Sequence, residues 1–216
     1  MTAGTSRQVY CTNWRSGETG TFRDFIEVYG QQQWTNVVRC RITAGKGIDA
    51  ARSCIEVASG IGMANGIALA PGRAFVVASL TKELLIFERG DERGGAAADA
   101  LTLLRRVATP AACDNLILHG SSLVSGCHPK ALTFVAHSKS PTTKPAPCQV
   151  LRIDGALGTR EQLEGGAAVT LSTLYLDSIG TEFAACSVAA AWRGSLVLGA
   201  VHDVGILECP KVPITE

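Results

Sequence analysis

Three short polar clusters hold the residues whose types and spacing suit chemistry. They are Met63-Ala64-Asn65-Gly66-Ile67, Cys113-Asp114-Asn115-Leu116-Ile117 and Gly126-Cys127-His128-Pro129. Aligning Asn65 with Asn115 superposes Ile67 on Ile117 and the Pro71-Gly72-Arg73 turn on Ser121-Ser122-Leu123, with a hairpin following in both copies. A third copy opens at Cys186-Ser187-Val188-Ala189. Repeats of this length suggest propeller blades. The innermost strand of each blade runs near the central axis, so equivalent residues converge at one end of the channel. Asn65, the pair Asp114-Asn115 and Ser187 occupy that place, and a ring of amide and carboxylate oxygens is what a hard cation such as Ca²⁺ takes. Zinc would want His and Cys sets, which the ring lacks. Asn-Gly and Asp-Asn are also ordinary turn pairs; only the shared repeat position raises them above that. His128 reads either as a base or substrate contact at the same mouth or as a turn histidine bonded to backbone.

Other catalytic motifs are missing. There is no Gly-x-Ser-x-Gly nucleophile elbow. Gly60-Ile61-Gly62 with Gly66 misses the dinucleotide-binding spacing by one residue, and Gly45-Lys46-Gly47 is too short for a phosphate loop. His119 is expected to alternate within a strand, and His137 and His202 to sit near strand ends, with only His202 within reach of a pocket.

The elements that would position these residues read as short strands. Strands are expected at Gln8–Thr12, Trp34–Ile42, Cys54–Ala58, Ile67–Ala70, Ala74–Ala78 and Leu84–Glu88, and Ala100–Val107 reads as an outer strand in preference to a short helix. They continue at Leu116–His119, Leu123–Gly126, Ala131–Ala136, Gln149–Ile153, Ala168–Leu176, Ser195–Leu198 and Val204–Leu207. Arg23–Gln33 fits a short helix or an irregular crossover. Gly45–Arg52 reads as a turn, Arg89–Arg93 as a charged loop, Ser138–Pro147 as a surface loop and Gly155–Gly166 as a loop. Nothing resembles a long amphipathic helix, so the class is all-β.

The chain has 216 residues, 46% hydrophobic and 18% charged, which places it among globular chains. A formal net charge of +1 gives no reason to expect nucleic acid or an anionic membrane as partner. Its 23 glycines suit strands joined by tight turns. Pro71-Gly72-Arg73 and Arg193-Gly194 cut the two longest apolar stretches, so no transmembrane helix is expected. Residues Met1–Arg7 have no apolar core and do not read as a signal peptide. The eight cysteines contain no Cys-x-x-Cys pair, which disfavours a zinc knuckle. Most are expected as small buried residues in strands. One or two disulfides fit if the chain meets an oxidising compartment.

Taken together, Val9-Tyr10-Cys11-Thr12-Asn13, Tyr29 with Trp34, Ala64-Asn65-Gly66-Ile67, Asp114-Asn115, Gly126-Cys127-His128-Pro129, Val150-Leu151-Arg152-Ile153 and Arg193-Gly194-Ser195-Leu196 resemble the paraoxonase family. That family comprises calcium-dependent lactonases and arylesterases on a six-bladed propeller. The order and nearly the spacing hold from residue 9 to residue 209. The resemblance implies that Asn13, Asn65, Asp114 and Asn115 are ligands of a catalytic Ca²⁺ and His128 an active-site histidine. It places Met63, Ser187, Val201 and His202 at substrate-pocket positions, Met63 and His202 where the family has aromatics. Trp14 departs from the pattern where the family's structural calcium has an aspartate, and Cys209 lies near the family's terminal cysteine. The match starts in the family's middle, so residues 1–216 are expected to form a partial propeller of three to four blades, somewhat more than half of the whole. The family's acidic metal pair and water-activating histidine pair fall outside it.

The expected activity is hydrolysis of a small-molecule ester or lactone, in which Ca²⁺ stabilises the oxyanion and water attacks with help from a base outside residues 1–216, so the resemblance alone does not make this chain active by itself. Two rivals stand beside it. One is a non-catalytic propeller fragment that binds a protein partner, with association through open blade edges and Ser138–Pro147 as its sequence support. The other is a sugar-lactonase type of propeller hydrolase, against which Gly126-Cys127-His128-Pro129 argues.

Overall fold

The computed structural model describes residues 7–17, 20–42, 54–90 and 100–212. Four antiparallel sheets follow one another along the chain. The first contains β1 (Arg7–Asn13), β2 (Thr35–Ile42) and β3 (Cys54–Ile61), with helix α1 (Phe22–Tyr29) between β1 and β2. The second is β4 (Ala64–Ala70), β5 (Arg73–Ala78), β6 (Glu83–Arg89) and β7 (Leu101–Ala108). The third is β8 (Ala112–His119), β9 (Ser122–His128), β10 (Cys148–Asp154) and β11 (Thr170–Asp177). Helix α2 (Ala131–Lys139) follows β9, and α3 (Arg160–Glu164) follows β10. The fourth is β12 (Cys186–Trp192), β13 (Ser195–Ala200) and β14 (Ile206–Pro210). Each is a meander, and the first strands of successive sheets pack side by side: β1 on β4, β4 on β8, β8 on β12. This is all-β blade architecture. The turn expected over Gly45–Arg52, the tip of the Arg89–Arg93 loop and most of Met1–Arg7 lie outside the described residues.

The core lies between the sheets, and strand alternation explains why. Successive side chains of β5 point to opposite faces. Ala74, Val76 and Ala78 pack with Val37, Val57 and Ile61 of the first sheet. Phe75 and Val77 pack with Leu116, Leu123, Leu151 and Ile153 of the third. Both faces of β5 are therefore covered, and its sequence reads as a continuous apolar run. A third cluster joins Val124, Cys148 and Val150 of the third sheet to Leu196 and Leu198 of the fourth.

Three expectations are corrected. Ala131–Ala136 is helix rather than strand, part of α2. A short apolar run does not distinguish the two by periodicity alone. Here Phe134 and the buried His137, one helical turn apart, face inward while Leu132 is exposed. Gly155–Gly166 is not wholly loop. It contains α3, opened by a capping box in which Thr159 Oγ1 accepts from the Gln162 N–H and Gln162 Oε1 accepts from the Thr159 N–H. Finally, most cysteines are paired rather than free: Cys40–Cys54, Cys113–Cys127 and Cys148–Cys186 are disulfides, leaving Cys11 and Cys209 free. The first two bridge residues directly opposite on neighbouring strands, with Cα atoms 4.0 and 3.9 Å apart, the close approach of a non-hydrogen-bonded antiparallel pair.

Candidate functional site

Strand register decides which polar residues share a position. In β4, Ile67 pairs with Val76 and Ala64 with Ala78, so an extra residue is accommodated around Asn65-Gly66. In β8, Leu116 pairs with Ser125 and Cys113 with Cys127, which puts the same bulge at Asp114-Asn115. In β12, Val188 pairs with Gly199 and Cys186 with Ala200, which bulges Ser187. Counting back from the three hairpin turns, Asn65, Asp114 and Ser187 are equivalent. Asn115 corresponds instead to Gly66 and Val188. The alignment of Asn65 with Asn115 is therefore off by one residue. Bulges bend the strand and re-aim side chains, and they recur beside active sites. Here all three lie on the strands that pack side by side.

Two glycines let the bulges approach. A Cβ on Gly66 would lie 2.3 Å from the Asp114 carbonyl oxygen and 2.5 Å from the Leu116 nitrogen. A Cβ on Gly126 would lie 2.6 Å from the Val188 nitrogen. Side chains then lock one strand to the next. Thr12 Oγ1 donates to the Asn65 carbonyl at 2.6 Å, Asn115 Nδ2 to the Ser187 carbonyl at 3.2 Å, and Ser125 Oγ to the Asn115 carbonyl at 2.7 Å. The structure thus brings Asn65, Asp114, Asn115 and Ser187 onto adjoining strands. Asn13 ends β1, where its Nδ2 donates to Asn36 Oδ1 at 2.5 Å and Asn36 Nδ2 donates to Glu56 Oε2 at 2.5 Å. That leaves the Asn13 side-chain oxygen uncommitted. The β1 side chain that reaches Asn65 is Thr12, which sequence reasoning missed.

His128, the last residue of β9, is buried, and its Nε2 lies 3.6 Å from Asp114 Oδ2. Its ring stacks on Phe134, with centroids 3.8 Å apart and planes 19° from parallel. Both ring nitrogens are buried from solvent and neither has a hydrogen-bond partner among the described residues, so the hydrogen-bonding capacity of the ring is unspent. This is not a turn histidine bonded to backbone. Behind Phe134 lies His202, with centroids 6.4 Å apart, and His202 meets His137 edge-on at 6.1 Å. His137 is buried, its Nδ1–H donates to the Lys144 carbonyl at 2.8 Å, and its Nε2 has no hydrogen-bond partner among the described residues. His137 therefore joins the cluster of rings formed by His128, Phe134 and His202. The missing signal was the helical spacing of Phe134 and His137. Of the other pocket positions, Met63 is half-buried in the β3–β4 turn at φ 60°, Ser187 is buried and Val201 is exposed beside His202.

Among the described residues no three His, Cys, Asp or Glu side chains group to hold a metal. The set around the bulges is instead one carboxylate, Asp114, with the amide oxygens of Asn65 and Asn115. Neutral and anionic oxygens of this kind fit part of a Ca²⁺ shell, which takes about 6–8 of them. Among the described residues no helix is long and apolar enough to cross a membrane.

No curated protein matches the chain. The sequence profile described as Arylesterase matches residues 2–209, nearly its whole length. The repeated bulges, the Asp114–His128 pair and this match lead to one assignment: the chain belongs to the arylesterase (paraoxonase) family of ester- and lactone-hydrolase-like proteins.

Proposed function

We propose that this chain takes part in hydrolysis of small carboxylic esters or lactones at the site formed by the β4, β8 and β12 bulges. Asn65, Asp114 and Asn115 would hold Ca²⁺ through side-chain oxygens, with Asn13 contributing from the end of β1. Bound there, Ca²⁺ would polarise the substrate carbonyl and stabilise the developing oxyanion. His128 would accept or return a proton at Nε2, with the adjacent Asp114 carboxylate stabilising the imidazolium. Phe134 fixes the plane of that ring by stacking. Met63, Ser187, Val201 and His202 would line the acyl and leaving-group sides of the pocket.

The observation that carries this reading is the approach of His128 Nε2 to Asp114 Oδ2, 3.6 Å, at a bulge repeated on three packed strands. The test is phenyl acetate and simple-lactone hydrolysis with added Ca²⁺ and with chelator. Turnover that rises with Ca²⁺ and falls about 10²–10⁴-fold in His128→Gln, with unfolding unchanged, is the expected result. Calcium-independent turnover, or full activity in the variant, would remove the reading.

A second reading has its own support. The fourth sheet exposes Trp192, Val201, Val204 and Ile206, Val204 at 93%, and apolar exposure of this kind marks association surfaces. Under this reading the chain docks a protein partner through its outer sheets. Concentration-dependent association without hydrolysis would favour it.

A further inference from the structure

Two disulfides sit at one repeat position, the residue immediately before a bulge. Cys113 precedes Asp114 and is bonded to Cys127, which itself precedes His128. Cys186 precedes Ser187 and is bonded to Cys148 at the start of β10, tying the fourth sheet to the third. The equivalent residue of β4 is Ala64, fully buried opposite Ala78. We infer that the Cys113–Cys127 disulfide is a positioning device for the site: it fixes which residues of β8 are bulged, and so holds Asp114 against His128. This inference rests on the reading of Asp114 and Asn115 as Ca²⁺ ligands.

The physical argument concerns register. Ala112–His128 and Cys113–Cys127 are paired on one side of the bulge, and Leu116–Ser125 resumes pairing on the other. An extra residue in a strand can migrate along it, because each one-residue step exchanges one ladder pairing for another. Such a step would move Asp114 to the opposite face and Cys113 out of the core. A covalent bond between directly opposite residues forbids the step toward Ala112, while the Leu116–Ser125, Ile117–Val124 and Leu118–Leu123 pairs oppose a step toward the hairpin. The disulfide acts at the pair adjoining both functional side chains, within one residue of Asp114 and of His128. On β4 the corresponding register has no covalent tie: small buried alanines face each other there, the Ala64 N–H donates to Thr35 Oγ1 at 2.8 Å and Thr12 Oγ1 donates to the Asn65 carbonyl.

The molecule supplies its own control. Cys40–Cys54 also joins directly opposite residues and spans the same sequence separation, 14. In the chain-entropy account both bonds restrict the unfolded chain equally. Cys40–Cys54 lies toward the end of β2 away from Asn36 and Asn13. Removing each bond should therefore have comparable effects on the unfolded state and different effects on the site.

The experiment compares the parent chain with Cys113→Ala/Cys127→Ala and with Cys40→Ala/Cys54→Ala. Calcium chloride titrations are followed by calorimetry, and hydrogen exchange is measured without calcium. The Cys113/Cys127 variant should bind Ca²⁺ about 10–100-fold more weakly, as when a group supporting a metal ligand is removed. Its exchange should accelerate over residues 112–118 and 122–128, while the Cys40/Cys54 variant keeps parent affinity and parent exchange there. Should the double-alanine variant not fold, Cys113→Val/Cys127→Ala refills the buried volume and takes its place. Equal affinities in all three proteins, or equal losses in both variants, would overturn the inference. A parent chain that binds no Ca²⁺ removes the calcium reading alone; the exchange data then decide, and unchanged exchange over 112–118 overturns the positioning claim.

Discussion

The second and third sheets carry the same bulge and hold it by different means. Around Asn65 the neighbours are apolar: Ala64 faces Ala78, and β5 and β6 are buried along most of their length. Gly66 needs no partner because it has no side chain. Around Asp114 the same positions carry Cys113 and Asn115, and the strand is tied by a disulfide and side-chain hydrogen bonds. Besides the bonds from Ser125 and Asn115, Ser79 Oγ donates to the Cys113 carbonyl at 2.5 Å. Where both faces of a blade are covered by hydrocarbon, packing fixes register with two threonine hydrogen bonds, Thr12 Oγ1 to the Asn65 carbonyl and the Ala64 N–H to Thr35 Oγ1, and no covalent tie. Where the polar Asp114 and His128 meet at the bulge, a disulfide is added to the directional bonds.

That contrast can be broken at several points. The largest expected effect lies in the second sheet, where Phe75→Ala removes a fully buried ring. It should cost about 3–5 kcal/mol, read from urea unfolding, with Ca²⁺ affinity of the folded fraction retained. Gly66→Ala comes next, because its methyl would drive into the Asp114 carbonyl. Overpacking of this kind costs about 1–3 kcal/mol. Unlike Phe75→Ala, it should also weaken Ca²⁺ binding, since the strand it displaces carries Asp114 and Asn115.

The polar support of the third sheet extends to Asp177 at the end of β11. Burial alone would raise its pKa, but backbone N–H groups of Glu182, Gly180, Ile179 and Phe183 donate to the carboxylate and hold it below the usual value. The folded state therefore binds this proton less readily than the unfolded chain. The associated stability is complete above about pH 4, the ordinary carboxylate range. It is lost as pH falls through the depressed folded value. Asp177→Asn should flatten that part of the stability–pH profile, whereas a profile identical to the parent's would discount the four donors. The smallest effect is expected for Ser125→Ala, which loses one hydrogen bond to the Asn115 carbonyl, about 0.5–1.5 kcal/mol. Thermal unfolding with and without Ca²⁺ would show a larger loss in the calcium-bound protein if Ser125 supports the site.

The sequence was most legible where apolar packing dominates. The Ala74–Ala78 and Leu84–Glu88 runs and the Pro71-Gly72 turn give the second sheet directly. Asn65, Asp114 and Ser187 were also placed in one repeat position from sequence. The pairing of Asn65 with Asn115 was not right, because a bulge adds a residue without any mark in composition and the shared asparagine drew the alignment one place along. Phe134 and His137 were hidden for a different reason: their helix is too short for its period to stand out from a strand. The disulfides escaped because cross-strand partners are adjacent only after the hairpin forms; Cys113 and Cys127 are 14 residues apart in the chain.

If the bulges of β4 and β8 present Asn65 and Asp114 to one cation, calorimetric Ca²⁺ titration of the parent chain, Asn65→Ala, Asp114→Ala and the double variant will show it. Each single substitution should weaken binding, and the double variant should lose little beyond the worse single one, because both ligands serve the same ion. Independent, additive losses, or an affinity unchanged by either substitution, would contradict it.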